Sequence, residues 1–172
     1  MSQTPTETEW YGQQEKDRWQ TPPEIVEILQ RHLNIDCDPC AGPNTTIGQT
    51  NWSIVRGEDG LSRNWGQYDV LYVNPPFSEK NEWIEKAVSE MENIELIVLL
   101  TPDSTDVQSW WHGQIVPNAD HIWFSNGRIS YIDPDTGEEA GSPTFGTALS
   151  FFGDVPEGLL EELSEYGWLP TY

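Results

Sequence analysis

The sequence predicts a three-layer α/β/α fold with a mostly parallel sheet that finishes in an antiparallel C-terminal strand. Three observations carry this. Apolar segments with helical and strand periods alternate from residue 22 onward. Two apolar runs, Tyr68 to Val73 and Ile94 to Leu100, stop at prolines, Pro75 and Pro102, as strands do where the chain loses an N–H donor. Near the end, two extended runs flank Asp133-Pro-Asp-Thr-Gly137, the pattern of an antiparallel pair joined by a long loop. The chain has 172 residues, enough for one domain with its own core. That domain is expected over residues 19–172, behind a flexible polar arm at 1–18.

The elements follow in order. Thr21 with Glu24 three positions later reads as a capping box, and Pro22 sits where a helix tolerates proline. Ile25, Ile28 and Leu29 then recur at helical spacing to about His32. Leu33 to Asp38 alternates apolar and polar residues as a short strand, stopped by Pro39 and Gly42. Residues 41–65 are rich in Asn, Thr, Gly and Ser and hold one brief extended candidate, Ser53 to Val55. After the strand at 68–73, Ser78 can cap a helix carrying Trp83, Ile84, Ala87, Val88 and Met91 on one face. Ile94 to Leu100 is apolar throughout and reads as a strand buried on both faces. A helix at Val107 to Ile115 and a strand at His121 to Phe124 come next. Arg128 to Ile132 and Thr147 to Phe152 make the expected antiparallel pair, and Leu159, Leu160, Leu163 and Tyr166 the apolar face of a terminal helix.

Composition narrows the partners. Against 29 Asp and Glu stand 8 Lys and Arg, a net charge of −21, with lysine only at 16, 80 and 86. Nine Trp, six Tyr and five Phe supply apolar surface for a core, so the acidity does not imply disorder. A dense carboxylate surface is tolerable where salt screens it, with a screening length of ~3 Å at 1 M against ~8 Å at physiological strength, and a halophilic source is expected. Such a chain is no general polyanion binder, since that affinity comes from phosphate neutralisation. Residues 1–9 are polar and no apolar stretch is long enough for a bilayer, so a cytoplasmic protein without a membrane partner is expected.

The chemistry concentrates at Asn74-Pro-Pro-Phe77, at a strand end. It presents a primary amide, the Pro75 carbonyl with no N–H beside it, and an aromatic ring. Two acceptors can take both protons of an exocyclic amine while the ring stacks on its plane. Upstream, Asp38-Pro-Cys-Ala-Gly42 places a carboxylate at a strand end before a small-residue turn, where open α/β sheets bind ligands. Glu58-Asp59-Gly60-Leu61 lies in the loop before the 68–73 strand, and Asp59 can accept from a hydroxyl or an amine. Arg128, after Asn126-Gly127, can meet a guanine edge, a phosphate or a nearby carboxylate. Cys37 and Cys40 read as structural: a redox pair of this spacing opens a helix, which the following residues do not favour, and His32, His112 and His121 lack the spacing that would complete a zinc site.

Asn-Pro-Pro-Phe resembles the catalytic tetrapeptide of amino-methyltransferases, which use S-adenosylmethionine to methylate the N6 of adenine in nucleic acid. The order Trp19-Gln-Thr-Pro22, Asp38-Pro-Cys-Ala41, Asp59-Gly-Leu61, Asn74-Pro-Pro-Phe77 and Gly127-Arg128 resembles the compact, Dam-like phage-type DNA N6-adenine methyltransferases from Trp19 to about Phe152. The resemblance implies a Rossmann-like, S-adenosylmethionine-dependent methyltransferase of viral or mobile-element origin, serving DNA modification and restriction evasion. It implies Thr21, Pro22, Asp38, Ala41 and Asp59 on the cofactor side, Asn74, Pro75, Pro76 and Phe77 as the catalytic set, and Phe77, Ser78 and Arg128 against a DNA adenine flipped into the site. A monomer or weak dimer without metal is expected. One departure is the absence of a Gly-x-Gly turn after the first strand, where this chain has Gly42-Pro43. An RNA adenine or a protein glutamine amide would suit the same tetrapeptide, and a binding module that keeps the fold without catalysis is the third reading.

Overall fold

The computed structural model describes residues 19–140 and 143–170. The arm expected at 1–18 lies outside them. The described residues form a seven-stranded sheet: β1 (Cys37–Asp38), β2 (Thr50–Asn51), β3 (Val70–Val73), β4 (Leu96–Pro102), β5 (His121–Ser125), β6 (Thr147–Gly153) and β7 (Gly167–Trp168). Their order is β2-β1-β3-β4-β6-β5-β7. The pairs β1/β2, β1/β3 and β3/β4 are parallel, while β6 lies antiparallel between β4 and β5, and β7 antiparallel on the far edge.

Period-two alternation divides the strands between two cores, which makes the architecture three-layered. Leu71, Val73, Ile97 and Leu99 point to the face covered by helix α2 (Lys80–Glu90), through Trp83, Ile84 and Ala87. Tyr72, Leu96, Val98 and Leu100 point to the other face, covered by helices α1 (Pro23–His32) and α4 (Glu157–Ser164), through Ile25, Leu29, Leu159 and Leu163. Every residue of β4 is buried, as its unbroken apolar run requires. Among the described residues no helix is long and apolar enough to cross a membrane.

Several local expectations are corrected. The Thr21–Glu24 capping box does not form. Helix α1 begins one residue later, at Pro23 with Pro22 as N-cap, and no side chain caps it. The Thr21 hydroxyl is held instead by the Tyr72 phenol, 2.6 Å away. Ser78 is not a cap either: Phe77–Glu79 form a 3₁₀ turn, and α2 starts at Lys80 behind Glu79. The extended candidate at 53–55 is a 3₁₀ turn, Ile54–Arg56, and the strand of that region is Thr50–Asn51.

The helix expected at 107–115 is a π-helix, Gln108–Ile115, running into the short α3 (Val116–Asn118). Trp110, Trp111 and Ile115 are buried, at 5%, 3% and 0% exposure, and the His112 N–H donates to the Val107 carbonyl five residues back, the bond of a π-helix. Arg128–Ile132 does not pair with β6, because β4 and β5 already occupy both edges of β6. Ile132 instead bridges singly to Gln20 and to Glu139. Tyr166 lies past α4 and is 52% exposed rather than on its apolar face.

Candidate active site

The chain leaves β1 for β2 on one side and returns past it to β3 on the other. Such a reversal opens a crevice beyond the strand carboxyl ends, where open α/β sheets take ligands. Here the flanking ends are Asp38 of β1 and Asn74, which follows β3. A cavity of about 140 Å³ lies there, walled by Cys40, Ala41, Glu58, Asp59, Leu61 and Pro76. The Asp59 loop can lie against the β1 turn because residue 60 is glycine: a Cβ there would stand 2.0 Å from the Pro39 carbonyl oxygen. The Trp65 indole N–H donates to the Gly60 carbonyl at 2.9 Å and holds the loop from behind.

Asp38 does not line this crevice: it is 2% exposed, and alternation along β1 turns it away from the face of Cys37 and towards that of Tyr72. Burial pushes its carboxyl up to about 7, against a bond accepted from the Cys40 N–H at 3.1 Å that favours the charge. Cys37, beside it, is fully buried, and burial raises its thiol to about 12; neither cysteine is in a disulfide.

A second cavity opens on the other side of the tetrapeptide, walled by Trp19, Asn74, Pro75, Phe77, Tyr131 and Phe145. Its rings form a connected set: Phe77 to Phe145 at 4.9 Å between centroids, Trp19 to Tyr131 at 5.6 Å and Tyr131 to Phe145 at 6.1 Å. Asn74 Nδ2 donates to Thr21 Oγ1 at 3.1 Å and to the Trp19 carbonyl at 3.4 Å. Lys80 Nζ donates to the Phe77 carbonyl at 3.1 Å and lies 4.7 Å over the Phe77 ring. The tetrapeptide thus divides two cavities, with Pro76 in one wall and Asn74, Pro75 and Phe77 in the other.

The residues singled out in the sequence separate accordingly. Ala41 and Asp59 line the first cavity. Thr21 is buried on the side of the second, touching Asn74, and Pro22 is buried at the head of α1. Ser78 is exposed on the 3₁₀ turn and lines neither. Arg128 is exposed; its Nη1 donates to the Pro143 carbonyl at 3.2 Å, and it lines a groove that shares Phe145 with the second cavity. Sequence reasoning missed Trp19, Tyr131 and Phe145 as walls, since no period or motif joins loop residues so far apart in the chain.

A mostly parallel α/β sheet with a crevice at its reversal, and an aromatic-lined cavity at the neighbouring strand end, is of the doubly wound class that takes ligands at that crevice. The fold agrees with that class: the chain superposes on the crystal structure of a candidate RNA methyltransferase from Pyrococcus horikoshii with a TM-score of 0.52 and 13% identity, over 83% of this chain and 89% of that one. The family profile of DNA N-6-adenine-methyltransferases (Dam) matches residues 8–158, and the chain belongs to that family. It is 25% identical over 163 residues to the DNA N-6-adenine-methyltransferase of Escherichia phage T1, covering 86% of this chain and 67% of that protein. It is 30% identical over 131 residues to the enzyme of the same name from Haemophilus phage HP1, covering 73% and 72%.

Proposed function

We propose that this protein transfers a methyl group from S-adenosylmethionine to the N6 of adenine in DNA, at Asn74-Pro-Pro-Phe77. The observation that carries the reading is that this tetrapeptide separates two cavities, one walled by the acceptors Glu58 and Asp59 and the other by the rings of Trp19, Phe77, Tyr131 and Phe145. The residues of the first cavity fit the cofactor by their chemistry. Asp59 and Glu58 offer acceptors to hydroxyl or amine groups, and the Trp83 indole N–H in its wall is buried without a partner among the described residues. S-adenosylmethionine supplies a methyl carbon already activated by its sulfonium charge.

The chain then has one chemical task. The lone pair of an aromatic amine is delocalised into its ring, which makes it a poor nucleophile. Asn74 Oδ1 and the Pro75 carbonyl, accepting the two N6 protons, draw the nitrogen towards tetrahedral geometry and release that pair. Phe77 would hold the base plane, and cavities on either side of the tetrapeptide would bring donor and acceptor together, the source of most of the rate. The target adenine has to leave a duplex stack to reach this pocket.

Charge pairing supports where the DNA lies. Arg31, Arg56 and Lys86 are engaged by Glu162, Glu58 and Glu90. Lys80 and Arg128 make no salt bridge to a carboxylate among the described residues, and they border the aromatic pocket and its adjoining groove; Arg63 lies over the Trp52 ring and acts on the Glu58 carboxylate. Among the described residues, Lys80 and Arg128 are the cations available for phosphates beside the flipped base. The net charge of −21 supports a halophilic setting, and the phage relatives a viral role in DNA modification and restriction evasion within a host cytoplasm, by a single-domain monomer or weak dimer. The test is a transfer assay in molar salt with tritiated cofactor and DNA, RNA or protein as acceptor. Label in DNA is expected; label only in RNA or protein would replace the acceptor, and no label in any would remove the enzyme.

A further inference from the structure

We propose that Trp19 and Thr21 are positioning residues that fix the orientation of the Asn74 carboxamide, so that its oxygen and not its nitrogen meets the target amine. The inference rests on the role given to Asn74 above. A carboxamide has two ends of nearly equal size, so packing hardly distinguishes them, and hydrogen-bond partners decide which end faces where. At Asn74 the deciding partner is the Trp19 carbonyl, an acceptor only, 3.4 Å from Nδ2. An oxygen turned to that point would meet another oxygen. The second Nδ2 proton goes to Thr21 Oγ1 at 3.1 Å, and the Thr21 hydroxyl exchanges its own bond with the Tyr72 phenol at 2.6 Å. With both amide protons used within the protein, Oδ1 is the end left for the substrate. A flipped amide would instead present donors to the donors of an exocyclic amine.

The acceptors are themselves held in place. Gln20, between them, pairs with Ile132 through both its N–H and its carbonyl, at 2.9 and 3.0 Å. Two prolines follow at 22 and 23 with restricted backbones. Thr21 is 8% exposed and Tyr72 0%, so water does not compete for the bond between them, and the two bonds of Asn74 are part-buried. The arrangement also separates Thr21 from the cofactor: it is not part of the wall formed by Ala41 and Asp59, and its hydroxyl is engaged by Tyr72 and Asn74.

The test uses Thr21→Val, which keeps the shape and removes the hydroxyl, beside Thr21→Ser and Asn74→Ala. For Thr21→Val we expect kcat to fall about 10- to 100-fold, the worth of one buried hydrogen bond, with cofactor Kd unchanged within about twofold. Thr21→Ser restores kcat to within about threefold of the parent, since the hydroxyl is what matters. A Thr21→Val kcat within about twofold of the parent overturns the proposal. So does a loss confined to cofactor Kd, which would make Thr21 a cofactor ligand. Turnover retained in Asn74→Ala removes the role of Asn74 itself, an outcome distinct from any failure at Thr21. A second readout needs no folded Thr21 variant: in the parent protein the Asn74 side-chain amide protons, assigned by their loss in Asn74→Ala, should give two resolved, slowly exchanging resonances. Resonances at free-amide positions with fast exchange would overturn the proposal.

Discussion

Replacing Asp38 by asparagine should stabilise the protein at alkaline pH while weakening its hold on the cofactor. The carboxyl lies at the end of β1, 2% exposed, and burial lifts it from 3.8 to about 7. The unfolded chain therefore loses this proton near pH 4, and the folded chain keeps it to about 7. Between those values the folded state binds more protons, so stability falls as pH rises, by about 1.4 kcal/mol per pH unit and ~4 kcal/mol over the interval. The contribution is complete below pH 4 and gone above 7. Asparagine keeps the shape, can accept the Cys40 N–H and carries no charge. The two proteins should be equally stable near pH 4, with Asp38→Asn ahead by about 2–4 kcal/mol at pH 8, or ~5–15 °C in melting temperature. Denaturant titrations at a series of pH values in constant salt make the comparison. Parallel stability curves for the two proteins would refute the reasoning. If the cofactor's positive charge acts on this carboxyl it favours the ionised form, so binding should release a proton and tighten by up to about tenfold for each unit that pH rises towards 7 in the parent. That pH dependence should flatten in Asp38→Asn.

Other outcomes follow from charge. With Lys80 and Arg128 as the phosphate contacts, the log–log slope of DNA affinity against salt should be about −2, and Arg128→Ala should remove about 0.9 of it; titration by fluorescence anisotropy would show an unchanged slope if Arg128 does not meet phosphate. The melting temperature should climb with KCl into the molar range as a surface of net charge −21 is screened. A flat or falling curve in scanning calorimetry would count against the halophilic reading.

How far the sequence carries differs by element, for physical reasons. Helix α1 and strand β4 were legible because each has a period, or an unbroken apolar run, long enough to outweigh local exceptions. β1 and β2, two residues each, are too short to show alternation, so the expected strand at 33–38 shrank and the one at 50–51 was not anticipated. The pairing of β6 followed three-dimensional order rather than chain order: adjacency suggested residues 128–132, yet β6 inserts between β4 and β5. The end of β3 before Asn74-Pro-Pro-Phe77 was legible because a double proline there leaves few conformations. The Thr21 contact with Asn74 spans 53 positions, and Phe145 reaches Phe77 across 68, distances over which no periodicity operates. Asp38 was read as a cofactor ligand from its place at a strand end; its burial away from the cavity wall depends on packing that the strand-end rule does not contain.

The most direct measurement is a nucleoside analysis by mass spectrometry of DNA incubated with the cofactor and either the parent protein or Asn74→Ala, with cofactor Kd determined for both. N6-methyl-2′-deoxyadenosine is expected with the parent and absent with Asn74→Ala, at nearly equal cofactor affinity. A methyl group on another base, or the same product formed by Asn74→Ala, would contradict the account.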